Sequence, residues 1–218
     1  MIHVKDLLEE PFGKNIWVAE IDNYIAVCGF QPPPTVVLRG SPEKFVVPTG
    51  RDVDAAITRF DILWSDTGGA SQPAVHIVAG NLHTVCGDNA PSICTRQRIV
   101  KLLRKHLEEC TAPEPQVPIV RLIVGDDNLS TAEARQALQQ ETQKDPLWEV
   151  IPASAQRRGD HVAVSGAAAT FITIPIGTSF EDRGMRPDQH DAVALRLRVP
   201  GASQPAENSA DSEHDRDA

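Results

Sequence analysis

The sequence predicts an α/β fold: a β-rich N-terminal portion packed on a βαβαβ core, with additional C-terminal strands and a disordered acidic tail. Three observations lead there. Short apolar runs broken by turn residues fill the first 70 residues. From Ala74 apolar strands alternate with helix-period segments, and that alternation implies βαβ crossovers. From Gly201 the chain turns to Ser, Ala, Asp and Glu, which bury too little apolar surface to order a segment. The expected organisation is therefore 1–70, 71–200 and 201–218.

Taken in order, Val4 to Glu10 reads as a short helix stopped by Pro11. Asn15 to Phe30 alternates or runs apolar around Asp22-Asn23, the pattern of a hairpin. Pro32-Pro33-Pro34 cannot donate ladder bonds and makes an extended connector. Val36 to Arg39 and Lys44 to Val47 are short strands. Arg51 to Ser65 fits two periods: Val53, Ala56, Ile57 and Phe60 are spaced as on a helix, whereas Thr58, Phe60, Ile62 and Trp64 alternate. We expect a helical turn from Asp52 and then a strand to Trp64.

Ala74 to Ala79 is a short apolar strand. Cys94 to Cys110 is a helix with Ile99, Val100, Leu103, Leu107 and Cys110 on one face. Pro113, Pro115 and Pro118 end it. Ile119 to Val124 is a buried strand. Ser130 and Glu133 form a capping box, each side chain satisfying the other's amide. The helix they start runs to about Gln143 and is stopped at Asp145-Pro146. Leu147 to Ile151 is the next strand, and His161 to Ser165, Thr170 to Ile176 and Ala192 to Val199 are further β-rich runs that extend or cover the sheet.

Composition narrows the function classes. The net charge is −9; Glu207 to Ala218 carry five acids and one Arg, so −4 of it sits in the tail and −5 elsewhere. An acidic chain is a poor general nucleic-acid binder, because phosphate contact depends on clustered Lys and Arg. Aromatics are scarce at 5%, so Val, Ile, Leu and Ala must build the core. The N-terminus lacks a basic start followed by an apolar run, so no signal peptide is expected. No stretch approaches the ~18 apolar residues of a membrane span. Cytoplasmic localisation follows as the expectation, with Cys28, Cys86, Cys94 and Cys110 as reduced thiols.

Four constellations could carry chemistry. His76, His83, Cys86, Cys94, His106 and Cys110 supply zinc-ligand types, and His83-x-x-Cys86 and His106-x3-Cys110 look like two half-sites. Geometry divides the set: Cys94 and Cys110 lie at opposite ends of a helix of about 25 Å. His83, Cys86 and Cys94 are then one partial set. The plainer reading makes Cys110 a core thiol and the histidines loop or surface residues. On the same helix Arg98, Lys101, Arg104 and Lys105 offer a basic face to an acidic protein surface or to a nucleic-acid backbone, or are simply solvated.

Asp126 and Asp127 directly follow the strand Ile119 to Val124. Ligands of open α/β sheets bind beyond the carboxyl ends of strands, where two carboxylates could hold a hard cation. They are equally an ordinary turn into a capped helix. Finally, Asp66-Thr67-Gly68 after Leu63-Trp64-Ser65 resembles the active-site loop of aspartic proteases, where paired carboxylates activate water. Leu122 to Asp126 is similar to the apolar-apolar-Gly segment of retroviral-type members. A single Asp-Thr-Gly implies a homodimer. Ser65 and a long charged helix in place of β flaps depart from that pattern, and no family is assigned.

Lesser features have plain readings. Gly177-Thr178-Ser179 lacks the Lys and glycine spacing of a P-loop. Arg158-Gly159-Asp160 is a turn, and Cys28 a core thiol with no base to activate it.

The leading expectation is a non-catalytic, soluble intracellular accessory protein that binds another protein, with no cofactor. The alternatives are a metal-dependent hydrolase or nucleotide-handling enzyme using Asp126/Asp127, and a zinc-stabilised binding module.

Overall fold

The computed structural model describes residues 16–21, 24–29, 35–47, 54–65, 71–84, 89–112, 114–142, 146–152, 160–172 and 194–199. The expected helix at Val4 to Glu10, the Asp66-Thr67-Gly68 loop, Cys86 and the tail 201–218 lie outside the described residues.

Strands β1 (Ile16–Ile21) and β2 (Tyr24–Gly29) form the expected hairpin, with Ile21 opposite Tyr24. Strands β3 (Thr35–Leu38) and β4 (Glu43–Phe45) follow one another along the same edge of β5 (Ala55–Ser65). The expected helical spacing in this region gives way to strand throughout β5. Ala55 and Ile57 face one core and Phe60 and Ile62 the other, with a register irregularity between Ile62 and Leu63. Buried neighbours on both faces decide between two periods that the sequence leaves balanced.

Strand β6 (Ser71–His83) is the antiparallel partner of β5, so residues on both sides of position 70 belong to one sheet. Helix α1 (Ala90–Glu109) starts four residues before the expected Cys94. The Asn89 side chain caps it by accepting from Ser92 N at 2.9 Å, and Pro91 occupies the first turn. The chain then returns as β7 (Ile119–Asp126), parallel to β6 with His76 opposite Ile119 and His83 opposite Asp126. This β6–α1–β7 unit is the predicted crossover.

Helix α2 (Thr131–Ala137) begins at the predicted capping box, with Ser130 Oγ accepting from Glu133 N and Glu133 Oε2 accepting from Ser130 N at 2.7 Å. It ends at Ala137, well before Gln143. Buried Leu138 caps it, bonding through its N–H to Ala134 O at 3.0 Å. Strand β8 (Trp148–Pro152) and strand β9 (Asp160–Ser165) are antiparallel partners.

The seven-stranded sheet has the order β3-β5-β6-β7-β9-β8, with β4 beside β5. It is a mixed sheet with two helices, an α/β arrangement. The βαβαβ expectation needs one correction: β8 runs in the same direction as β7 but does not pair with it. β9 lies between them, antiparallel to both. Strand order depends on which edges meet in space, and apolar periodicity carries no such information.

Two cores sandwich the sheet. On the helical face Val78, Leu82, Ile123 and Ala163 meet Val100, Leu103 and Leu107 of α1, Ala134 of α2 and its capping residue Leu138. Gly80 lies beneath the first helix, where a Cβ would come within 3.1 Å of Leu103 Cδ1 and Cδ2. On the opposite face Val75, Ile77, Val120, Val162 and Val164 form a smaller cluster. The ribbon of β10 (Ala168–Ile172) and β11 (Ala194–Arg198) packs on it through Ala169 and Leu197. Among the described residues no helix is long and apolar enough to cross a membrane.

Candidate functional site

The carboxyl ends of the parallel strands β6 and β7 hold a polar cluster. Gly125, next to last in β7, has φ +113°, and a Cβ there would sit 2.1 Å from Leu82 O. Only glycine fits that approach. Beyond it Thr84 stitches the two strand ends together: its N–H donates to Asp126 O at 2.9 Å and its Oγ1 to Asp127 O at 2.6 Å. Asn128, at φ 52°, donates from Nδ2 to Thr84 O at 3.0 Å. Asn tolerates this left-handed conformation better than most residues.

The turn aims the two candidate carboxylates differently. Asp126 Oδ1 accepts from Asn128 N at 3.0 Å, and its Oδ2 lies 4.0 Å from Nε2 of exposed His83. Asp127 is buried, and its Oδ1 accepts from Leu129 N at 2.9 Å and lies 3.2 Å from His161 Nδ1. The far side of that ring, Nε2, lies 3.1 Å from Thr131 Oγ1. Asp127, His161 and Thr131 thus form a chain from the end of β7, the start of β9 and the first turn of α2. Burial pushes the Asp127 carboxyl above its ordinary value, opposed by its hydrogen bond and charge interaction with His161. A cavity of about 10 Å³, lined in part by Leu82, Asp127, Leu138 and His161, lies beside the chain.

Sequence reasoning placed Asp126 and Asp127 at this strand end but missed His161 and Thr131. The available signal was an ionisable residue opening the apolar alternation of His161 to Ser165. Among the described residues no group of three or more His, Cys, Asp or Glu side chains is placed to hold a metal. His83 and Cys94 are both exposed, and their expected companion Cys86 lies outside the described residues, as does Asp66. His76 and Cys110 serve elsewhere: His76 is buried against Asp61, while Cys110 Sγ lies 3.7 Å from Arg59 Nη2.

The expected basic face of α1 is divided. Arg104 is buried and donates from Nη1 to Gln139 O at 2.6 Å, apart from the exposed members of that face. Its position on the helix is adjacent to Leu103 and three residues from Leu107, on the side that packs down. Lys101 and Lys105 are exposed, but their Nζ atoms lie 2.6 Å and 3.1 Å from the two Glu141 carboxylate oxygens. These pairs hold the Glu141 carboxyl below its usual range, chiefly through the Lys101 hydrogen bond. Arg98 is exposed.

A second surface feature was not foreseen. A groove of about 740 Å³ runs between α2 and β8, lined by residues including Arg135, Gln136, Gln139, Trp148 and Glu149. Leu147, at its rim, is 74% exposed. No protein-family model matches the chain, and no curated protein matches it significantly.

Proposed function

We propose that this protein is a soluble, cytoplasmic accessory protein that works by binding an extended segment of another protein. The observation that carries this reading is the groove between α2 and β8, with Leu147 74% exposed at its rim. β8 is also the last strand of its sheet among the described residues, an edge position. Added-strand recognition uses such an edge for affinity and neighbouring pockets for side-chain selection. The groove's Gln and Arg side chains suit the polar groups of a peptide. The expected acidic partner surface is less well supported, since Glu141 already engages Lys101 and Lys105.

The test is a peptide-display selection against the full chain, followed by titration calorimetry of enriched sequences. Peptides should enrich, and Leu147→Asp should weaken their binding at least about tenfold, equivalent to ~1.4 kcal/mol. Failure to enrich any sequence, or equal affinity for a folded Leu147→Asp variant, would overturn the reading.

The enzymatic alternative finds support in the cluster at the ends of β6 and β7, where the buried Asp127 carboxylate faces His161. That favours general acid–base chemistry over a metal held by Asp126 and Asp127. Thermal shift with Mg²⁺ or Mn²⁺ tests the metal version; a shift abolished by Asp126→Ala would restore it.

A further inference from the structure

The chain Asp127–His161–Thr131 has the connectivity of a carboxylate–imidazole–hydroxyl relay. Nucleophilic catalysis by a hydroxyl needs a base within hydrogen-bond reach and a third group that orients the base. Both contacts are present: His161 Nε2 lies 3.1 Å from Thr131 Oγ1, and His161 Nδ1 lies 3.2 Å from Asp127 Oδ1. The Asp127 and His161 side chains are 8% and 3% exposed, which shields the pair from water, whereas Thr131 is half-buried and reaches the surface. The Leu129 N–H fixes the same Asp127 oxygen that faces the ring, so the carboxylate is held from two sides. The location also fits, since open α/β sheets place ligands beyond the carboxyl ends of their strands.

We infer that Thr131 is the nucleophile of an acyl-transfer site, with His161 as its general base and Asp127 as the positioning residue, acting on a small activated ester or thioester. This goes beyond partner binding and does not depend on the groove at β8. The productive tautomer carries its proton on Nδ1, donated to Asp127, and leaves Nε2 to accept from the Thr131 hydroxyl. In the first step Thr131 Oγ1 bonds to the carbonyl carbon and its proton passes to His161 Nε2. The carbon–oxygen or carbon–sulfur bond to the leaving group then breaks, and the leaving group takes the proton from Nε2. In the second step water attacks the threonyl ester, gives a proton to Nε2 and releases the carboxylic acid. The Nε2 proton returns to Thr131 Oγ1, and the enzyme is regenerated with no redox change.

The experiment uses the full chain and a fluorophosphonate probe, with adducts located by peptide mass spectrometry. The inference predicts covalent labelling at Thr131 in native protein and none after heat denaturation. Thr131→Ser, which keeps the hydroxyl, should be labelled at residue 131. His161→Gln should slow labelling by about 100-fold or more, the usual contribution of a positioned base. A native protein without an adduct at Thr131, or a folded His161→Gln variant labelled at the native rate, overturns the assignment. Because the native protein is decisive alone, an unstable variant does not weaken the test.

Discussion

Asp61 Oδ1 lies 2.6 Å from His76 Nδ1, directly across the β5–β6 ladder, with side chains 1% and 3% exposed. Arg39 reaches the other Asp61 oxygen from the end of β3. This polar triplet ties three strands together on the helical face of the sheet, and it bears directly on stability. Asp61→Ala strips the carboxylate from two partners and leaves buried His76 without its bond. Removing one member of such a buried pair costs about 3–5 kcal/mol. Asp61→Asn, which retains an acceptor, should cost less. Urea unfolding of both variants checks the order; a loss under about 0.5 kcal/mol for Asp61→Ala would contradict it.

The two crowded glycines should behave differently. At Gly125 an added methyl meets the Leu82 carbonyl at 2.1 Å, and the backbone is at φ +113°. Neither the backbone atom nor the conformation can yield cheaply, so Gly125→Ala should destabilise by roughly 2–4 kcal/mol. At Gly80 the nearest atoms belong to the Leu103 side chain at 3.1 Å, which can adjust by a few tenths of an ångström. Gly80→Ala should cost about 1–2 kcal/mol through overpacking. Thermal unfolding that ranks Gly80→Ala as the worse variant would refute the close approach of β7 to β6.

Asp127 gives the protein a characteristic pH dependence. Its folded pKa is raised above the ordinary 3.8, with burial as the leading cause. Between that value and the raised one, the folded state binds more protons than the unfolded state. Stability from this group therefore falls as pH rises through the window from 3.8 upward. Asp127→Asn removes the titration. The difference in unfolding free energy between native protein and Asp127→Asn should therefore shift toward the variant as pH rises across that window. Parallel stability curves would show that Asp127 does not titrate differently on folding.

Much of the architecture was legible in residue patterns, because periodicity reports which face of an element is buried. Ile99, Val100, Leu103 and Leu107 mark the inner face of α1, and Ser130 with Glu133 marks the start of α2. Periodicity failed where both faces of a strand are covered, as in β5, and where neighbours are chosen in space, as with β9 between β7 and β8. The site was half legible for the same reason. Asp127 stood out at a strand end, but its partner His161 is 34 residues away and meets it only because β9 pairs with β7. Helical spacing alone leaves Arg104 within reach of both faces of the helix, and its bond to the Gln139 carbonyl could not be read from the sequence.

The central functional claim is that a peptide segment binds between α2 and β8 rather than along the basic side of α1. Titrating a display-selected peptide into two full-length variants, Leu147→Asp and the triple charge reversal Arg98→Glu/Lys101→Glu/Lys105→Glu, separates the two surfaces. The account predicts at least about tenfold weaker binding for Leu147→Asp and a change below about threefold for the triple variant, a gap close to 1 kcal/mol or more. Lost binding in the charge-reversed protein, with Leu147→Asp unaffected, would contradict it.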